Sequence, residues 1–185
     1  MSAEPRFAGA PRLRAEIAQF LCEGPAQVRQ DEPLSIRVRL SLGGELRQAL
    51  TPEAWARAHE AYDEHFTLRY ALALYSKGPL FARRIAGPVR LRRRATFYWS
   101  RDPLLPYRIW VMVVDEAGVP RLPKDVEEAR AMLMDVEWAF ALAPGALAKG
   151  ARQLFARVRA SWGRHSFADK GSVEGASPPL RIEVL

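Results

Sequence analysis

The run "LSIRVRLSL" (34–42) alternates apolar and polar side chains without a break. Ile36, Val38, Leu40 and Leu42 fall on one side; Arg37, Arg39 and Ser41 fall on the other. A period of two marks a strand with one face buried and one face in water. Such a strand needs neighbours in a sheet and a second layer over its apolar side.

Other segments follow the same rule. "TLRYALALYS" (67–76) fits either a continuation of the preceding helix or a strand; Leu68, Tyr70, Leu72 and Leu74 alternate and Lys77-Gly78-Pro79 reads as a turn into "LFARRIAG", which favours two strands. Residues 89–100 form a strand after Gly87-Pro88. "YRIWVMVVD" (107–115) is the most β-prone run and is expected to be a central, buried strand. "LRIEVL" at 180–185 alternates and supplies a last strand. Gly43-Gly44 signals a hairpin, with "ELRQAL" as its return strand.

Between these lie segments with helical spacing. "RLRAEIAQFLC" (12–22) places Leu13, Ile17, Phe20 and Leu21 on one helical face. In "TPEAWARAHEAYDEHF" (51–66), Thr51 suits the N-cap and Pro52 the first helical position. Trp55, Ala58, Tyr62 and Phe66 then make an apolar stripe. Residues 124–143 step Val126, Ala129, Leu133, Val136 and Phe140 along one face before Pro144-Gly145, and 146–162 reads as a further, basic helix. The expected fold is therefore α+β. It has a mainly antiparallel sheet of about five or six strands, backed on one side by about three or four helices, with a ferredoxin-like arrangement as one form of it. A chain of 185 residues suits one such domain over 12–162, with a flexible arm at 1–11 and a Gly/Ser/Pro-rich connector and last strand at 163–185.

Composition narrows the function classes. With 49% hydrophobic and 26% charged residues the chain is globular rather than disordered. No apolar run approaches the roughly 18–20 residues of a spanning helix. The opening "MSAEPRFAGAPRLRAE" has no apolar signal core, and the single cysteine, Cys22, does not point to an oxidising compartment. A cytoplasmic location and no membrane partner are expected.

The net charge is +7. Residues 83–101 hold Arg83, Arg84, Arg90, Arg92, Arg93, Arg94 and Arg101 and no acid, so this one stretch equals the net charge of the whole chain. Only four of the 28 basic residues are lysine, a skew that codon usage in a GC-rich genome also produces. Local concentration is harder to explain in that way than a diffuse excess. Within "VRLRRRATFYW", period two sends Val89, Leu91, Phe97 and Trp99 inward and Arg90, Arg92, Arg94 and Tyr98 outward. Arg93 falls on the core side and demands an anionic partner, an edge position or a bulge.

If the strands are neighbours, one sheet face gathers Arg37, Arg39, Arg90, Arg92, Arg94 and Arg108 with Tyr98 and Trp110; Arg93 completes the candidate set. Guanidinium forks bind phosphates and aromatic rings stack on unpaired bases. The leading expectation is a nucleic-acid-binding protein for single-stranded DNA or RNA, acting as a subunit of a larger complex. The first alternative is an assembly or scaffold subunit that contacts protein partners only. The second is a small His-dependent nuclease or hydrolase. For the latter the weak candidates are His59 and Asp63, at i, i+4 in "HEAYDEH", and His165 beside Ser166, Asp169 and Lys170. The second histidine of a zincin H-E-x-x-H is replaced by Asp63. No P-loop, dinucleotide fingerprint or nucleophile elbow is present, so no cofactor and no metal are expected and a non-enzymatic role is favoured.

Overall fold

The computed structural model describes residues 14–49, 64–99, 109–164 and 171–185. In chain order the elements are β1 (Ala15–Glu23), β2 (Gln27–Val28), β3 (Leu34–Gly44), α1 (Glu45–Ala49), β4 (Glu64–Lys77), β5 (Ala82–Trp99), β6 (Ile109–Val114), β7 (Pro120–Arg121), α2 (Val126–Met134), β8 (Asp135–Leu142), β9 (Gly150–Arg164), β10 (Gly171–Ala176) and β11 (Leu180–Val184). The smaller of two sheets runs β1-β3-β8. The larger runs β2-β11-β9-β4-β5-β6-β7, with β10 paired to β9. Among the described residues every ladder is antiparallel except β2 with β11.

The alternation that opens the sequence builds the core. Leu34, Ile36, Val38, Leu40 and Leu42 of β3 are buried, while Ser35, Arg37 and Arg39 between them are exposed. From the larger sheet, Leu68, Tyr70, Leu72 and Leu74 of β4 and Leu154, Ala156, Val158, Ala160 and Trp162 of β9 meet them in one hydrophobic cluster. Burying each large apolar side chain contributes about 1.5–3 kcal/mol, enough to hold two sheets face to face.

The α+β expectation is overturned: the fold is β-sandwich-like, and the described residues hold only the two helices α1 and α2. Each difference has a local cause. Residues 15–23 form β1, whose register against β3 shifts between Ile17 and Gln19; the bulge breaks strict alternation and leaves apolar residues at near-helical spacing. Residues 150–164 are one strand, because "LFARVRASW" alternates with period two and packs that way. In 124–143 the helix is real only over α2. Asp125 caps it by accepting from the Glu128 N–H at 2.8 Å, and the chain turns extended at Asp135 to pair with β3.

"ELRQAL" does not return as a strand, since β1 and β8 already occupy both edges of β3. Gly44, at φ +76°, redirects the chain into α1 instead. "IWVMVV" is not central: β6 lies next to the two-residue edge strand β7. The two strands expected on either side of Gly87-Pro88 are one long strand, β5, which bends at Gly87 with φ +82°. A Cβ at Gly87 would come within 2.7 Å of the Leu72 carbonyl oxygen, so glycine is required at this close approach. The helix expected over 51–66 falls outside the described residues up to 63, and 64–66 already belong to β4.

Candidate nucleic-acid interface

The outer face of the larger sheet is set by what the inner face buries. With Leu68, Tyr70 and Leu72 turned into the sandwich, Arg69 and Ala71 turn out; with Leu91 and Ala95 inside, Arg90, Arg92 and Arg94 turn out; with Val158 and Ala160 inside, Arg157 and Arg159 turn out. Ladder register arranges them in rows across the strands. Arg92 stands opposite Arg69, which stands opposite Ser161. One row along, Arg90 and Arg159 flank Ala71, and Glu174 of β10 pairs with Arg159, its Oε1 3.2 Å from the Arg159 Nε. Thr67 stands opposite Arg94. Among the side chains described in β4, β5 and β9 there is no carboxylate.

Towards the β4–β5 turn the face becomes aromatic. Tyr75 and Phe155 stack with centroids 5.6 Å apart and planes 17° from parallel. The Arg157 guanidinium lies over both rings, 4.9 Å from the first centroid and 5.5 Å from the second. Arg84 is the register partner of Tyr75 on β5. Cations and half-buried rings thus share one surface.

This is not the grouping expected from sequence. Arg37 and Arg39 lie on the outer side of the smaller sheet, away from β5, and are tied to acids. Arg37 Nε is 3.3 Å from Glu137, and Arg39 Nε is 3.5 Å from Glu137 and 3.7 Å from Glu23. Tyr98 and Trp110 are register partners across β5 and β6. Arg108, His59, Asp63 and His165 fall outside the described residues. Arg69, Arg157, Arg159, Tyr75 and Phe155 went unnoticed as site residues. Arg69 and Tyr75 sit in the polar phase of the alternation in 67–76, and the helical reading of 146–162 hid the three from β9.

Arg93 resolves as a structural clamp. It is buried on the inner side, where Nε donates to Glu116 Oε2 at 3.1 Å and Nη1 donates to the carbonyls of Met132 at 2.8 Å and Asp135 at 2.6 Å. Those carbonyls end α2, where a cation also suits the helix dipole. Tyr70 completes the end, its hydroxyl donating to the Leu133 carbonyl at 2.7 Å; burial, foremost, holds its phenol well above the usual tyrosine range. At the smaller sheet, Asp135 accepts from Ser41 Oγ at 2.6 Å and from Arg47 Nη1 at 2.7 Å. This hydrogen bond raises the Arg47 guanidinium further above its ordinary value. Among the described residues no group of three or more histidine, cysteine or acidic side chains could hold a metal ion.

No family model matches the chain, and no curated protein does. Among solved structures it is similar to AggA, the major subunit of aggregative adherence fimbriae type I from Escherichia coli. The identity is 7% and the TM-score 0.38, over 93% of this chain and 96% of that one, a likeness too distant to carry function. No helix among the described residues is long and apolar enough to cross a membrane.

Proposed function

We propose that the protein binds single-stranded nucleic acid on the outer face of the larger sheet, as a module within a larger complex. The observation that carries this reading is the arginine cluster on three adjacent strands: Arg69, Arg90, Arg92, Arg94, Arg157 and Arg159, with Arg69 directly opposite Arg92. Like charges opposed across a ladder destabilise it. A phosphate backbone laid over them removes that repulsion and gains forked, charge-assisted hydrogen bonds. Ala71, between Arg90 and Arg159, and Ala73, opposite Arg157, keep the surface low beside the guanidiniums. The Tyr75–Phe155 pair offers a ring edge on which a splayed base can pack.

The test is fluorescence anisotropy with a labelled single-stranded oligonucleotide across a salt series. Binding through several phosphates gives log K falling linearly with log salt, and the slope becomes shallower by about 0.7 for each phosphate contact removed. Arg69, Arg90 and Arg159 changed together to Gln should weaken binding and flatten the slope. Undetectable binding at low salt, or a slope unmoved by these changes, rules the proposal out.

A further inference from the structure

The turn between β4 and β5 is built to display two apolar side chains. Gly78 donates its N–H to the Phe81 carbonyl at 3.1 Å, and a Cβ on Gly78 would approach that oxygen to 2.6 Å, so the tight closure requires glycine. Pro79 stiffens the loop. At its crest Leu80 is 87% and Phe81 78% exposed, the two most exposed large hydrophobic residues among those described. Lys77 on one strand and Arg83 and Arg84 on the other are exposed at its base. Between that base and strands β9 and β11 lies a concavity of about 790 Å³ whose lining includes Lys77, Arg152 and Arg181, with Glu183 as its one acid.

Water is a poor environment for adjacent exposed leucine and phenylalanine side chains, and a pre-ordered tip leaves them no way to fold back. The cations around them select what covers them. An apolar crest above a cationic collar fits a surface that is hydrocarbon inside and anionic at its boundary. We propose that this turn is a peripheral membrane contact. Leu80 and Phe81 enter the acyl boundary of an anionic bilayer, while Lys77, Arg83 and Arg84 stay at the level of the lipid phosphates. The tip adjoins the aromatic end of the sheet face and shares Arg84 with it, but Leu80 and Phe81 lie beyond the arginine rows, and this inference stands whatever those rows bind.

Vesicle flotation tests it, with phosphatidylcholine vesicles made with and without phosphatidylglycerol. The full chain should float with the anionic vesicles only. Leu80→Ser with Phe81→Ser, confirmed folded by its thermal melt, should bind at least about tenfold more weakly. Gln at positions 77, 83 and 84 should weaken binding at low salt and flatten its dependence on salt. A Phe81→Trp variant should gain quenching by brominated lipid beyond that of the wild type. No flotation with anionic vesicles overturns the proposal. So does full binding by the Leu80→Ser, Phe81→Ser variant, which would move the contact to the arginine rows. Loss of oligonucleotide binding in that variant without any vesicle binding would assign the tip to nucleic acid instead.

Discussion

Arg69 of β4 stands directly opposite Arg92 of β5, both exposed, in the middle of the larger sheet. Reversing one charge separates a functional role from a merely solvated surface. Arg92→Glu turns the pair attractive and should stabilise the fold by about 0.2–1 kcal/mol, read from the urea midpoint. The same change should weaken oligonucleotide binding severalfold. A variant that is both more stable and equally tight in binding would show that the arginines have no ligand of this kind.

Arg93 should be among the most sensitive positions in the chain. Arg93→Met removes the partner of two carbonyls at the end of α2 and of Glu116, whose carboxylate still reaches water. The expected loss is about 1–3 kcal/mol in chemical denaturation, carried by the stranded carbonyls. Arg93→Lys should recover only part of it, since one ammonium cannot span the Glu116 carboxylate and both carbonyls. Oligonucleotide binding by the folded fraction should be unchanged, because the side chain faces inward.

Tyr70→Phe should cost about 1–3 kcal/mol by stranding the buried Leu133 carbonyl. It should also change the alkaline limb. The folded state holds the Tyr70 proton more tightly than the unfolded chain does, so this contribution is complete below about pH 10 and declines as pH rises beyond it. Urea midpoints measured through that limb should fall less steeply in Tyr70→Phe than in the wild type.

Cys22 should be a slow thiol. Burial, opposed by a hydrogen bond with Ser177, pushes it up from 9.0 to about 11. At pH 8 its thiolate is then about a hundredfold scarcer than that of an unperturbed thiol, and iodoacetamide labelling should slow by a similar factor until the protein is unfolded. The raised value also means that stability is retained below pH 9 and lost as pH climbs towards 11. Cys22→Ala should remove that part of the loss.

The strand content of the sequence was legible wherever alternation ran uninterrupted, as in β3 and β4, and the inward and outward phases of β3 and of 89–95 are those observed. It was hidden where a second pattern overlaid the first. The bulge at Ile17/Gln19 gave β1 a helical appearance, and the real helix α2 lent its periodicity to β8. Strand partners were legible only across the turn at Lys77-Gly78-Pro79, which joins β4 to β5; nothing local says that β9 flanks β4 on its other side or that β3 lies in a different sheet. That gap put Arg37 and Arg39 in the wrong company. Arg93 was legible as an anomaly. Its partners were not, since Glu116, Met132 and Asp135 meet it only through tertiary packing.

The arginine triplet of β5 also guards against misalignment. Three identical side chains in succession look as though the strand could slide by one residue and still place an arginine against Glu116. Such a slide would turn Arg90, Arg92 and Arg94 all into the sandwich, three guanidiniums for a single carboxylate, and would push Leu91 and Ala95 into water. The neighbours that look redundant make a one-residue displacement of this strand electrostatically untenable.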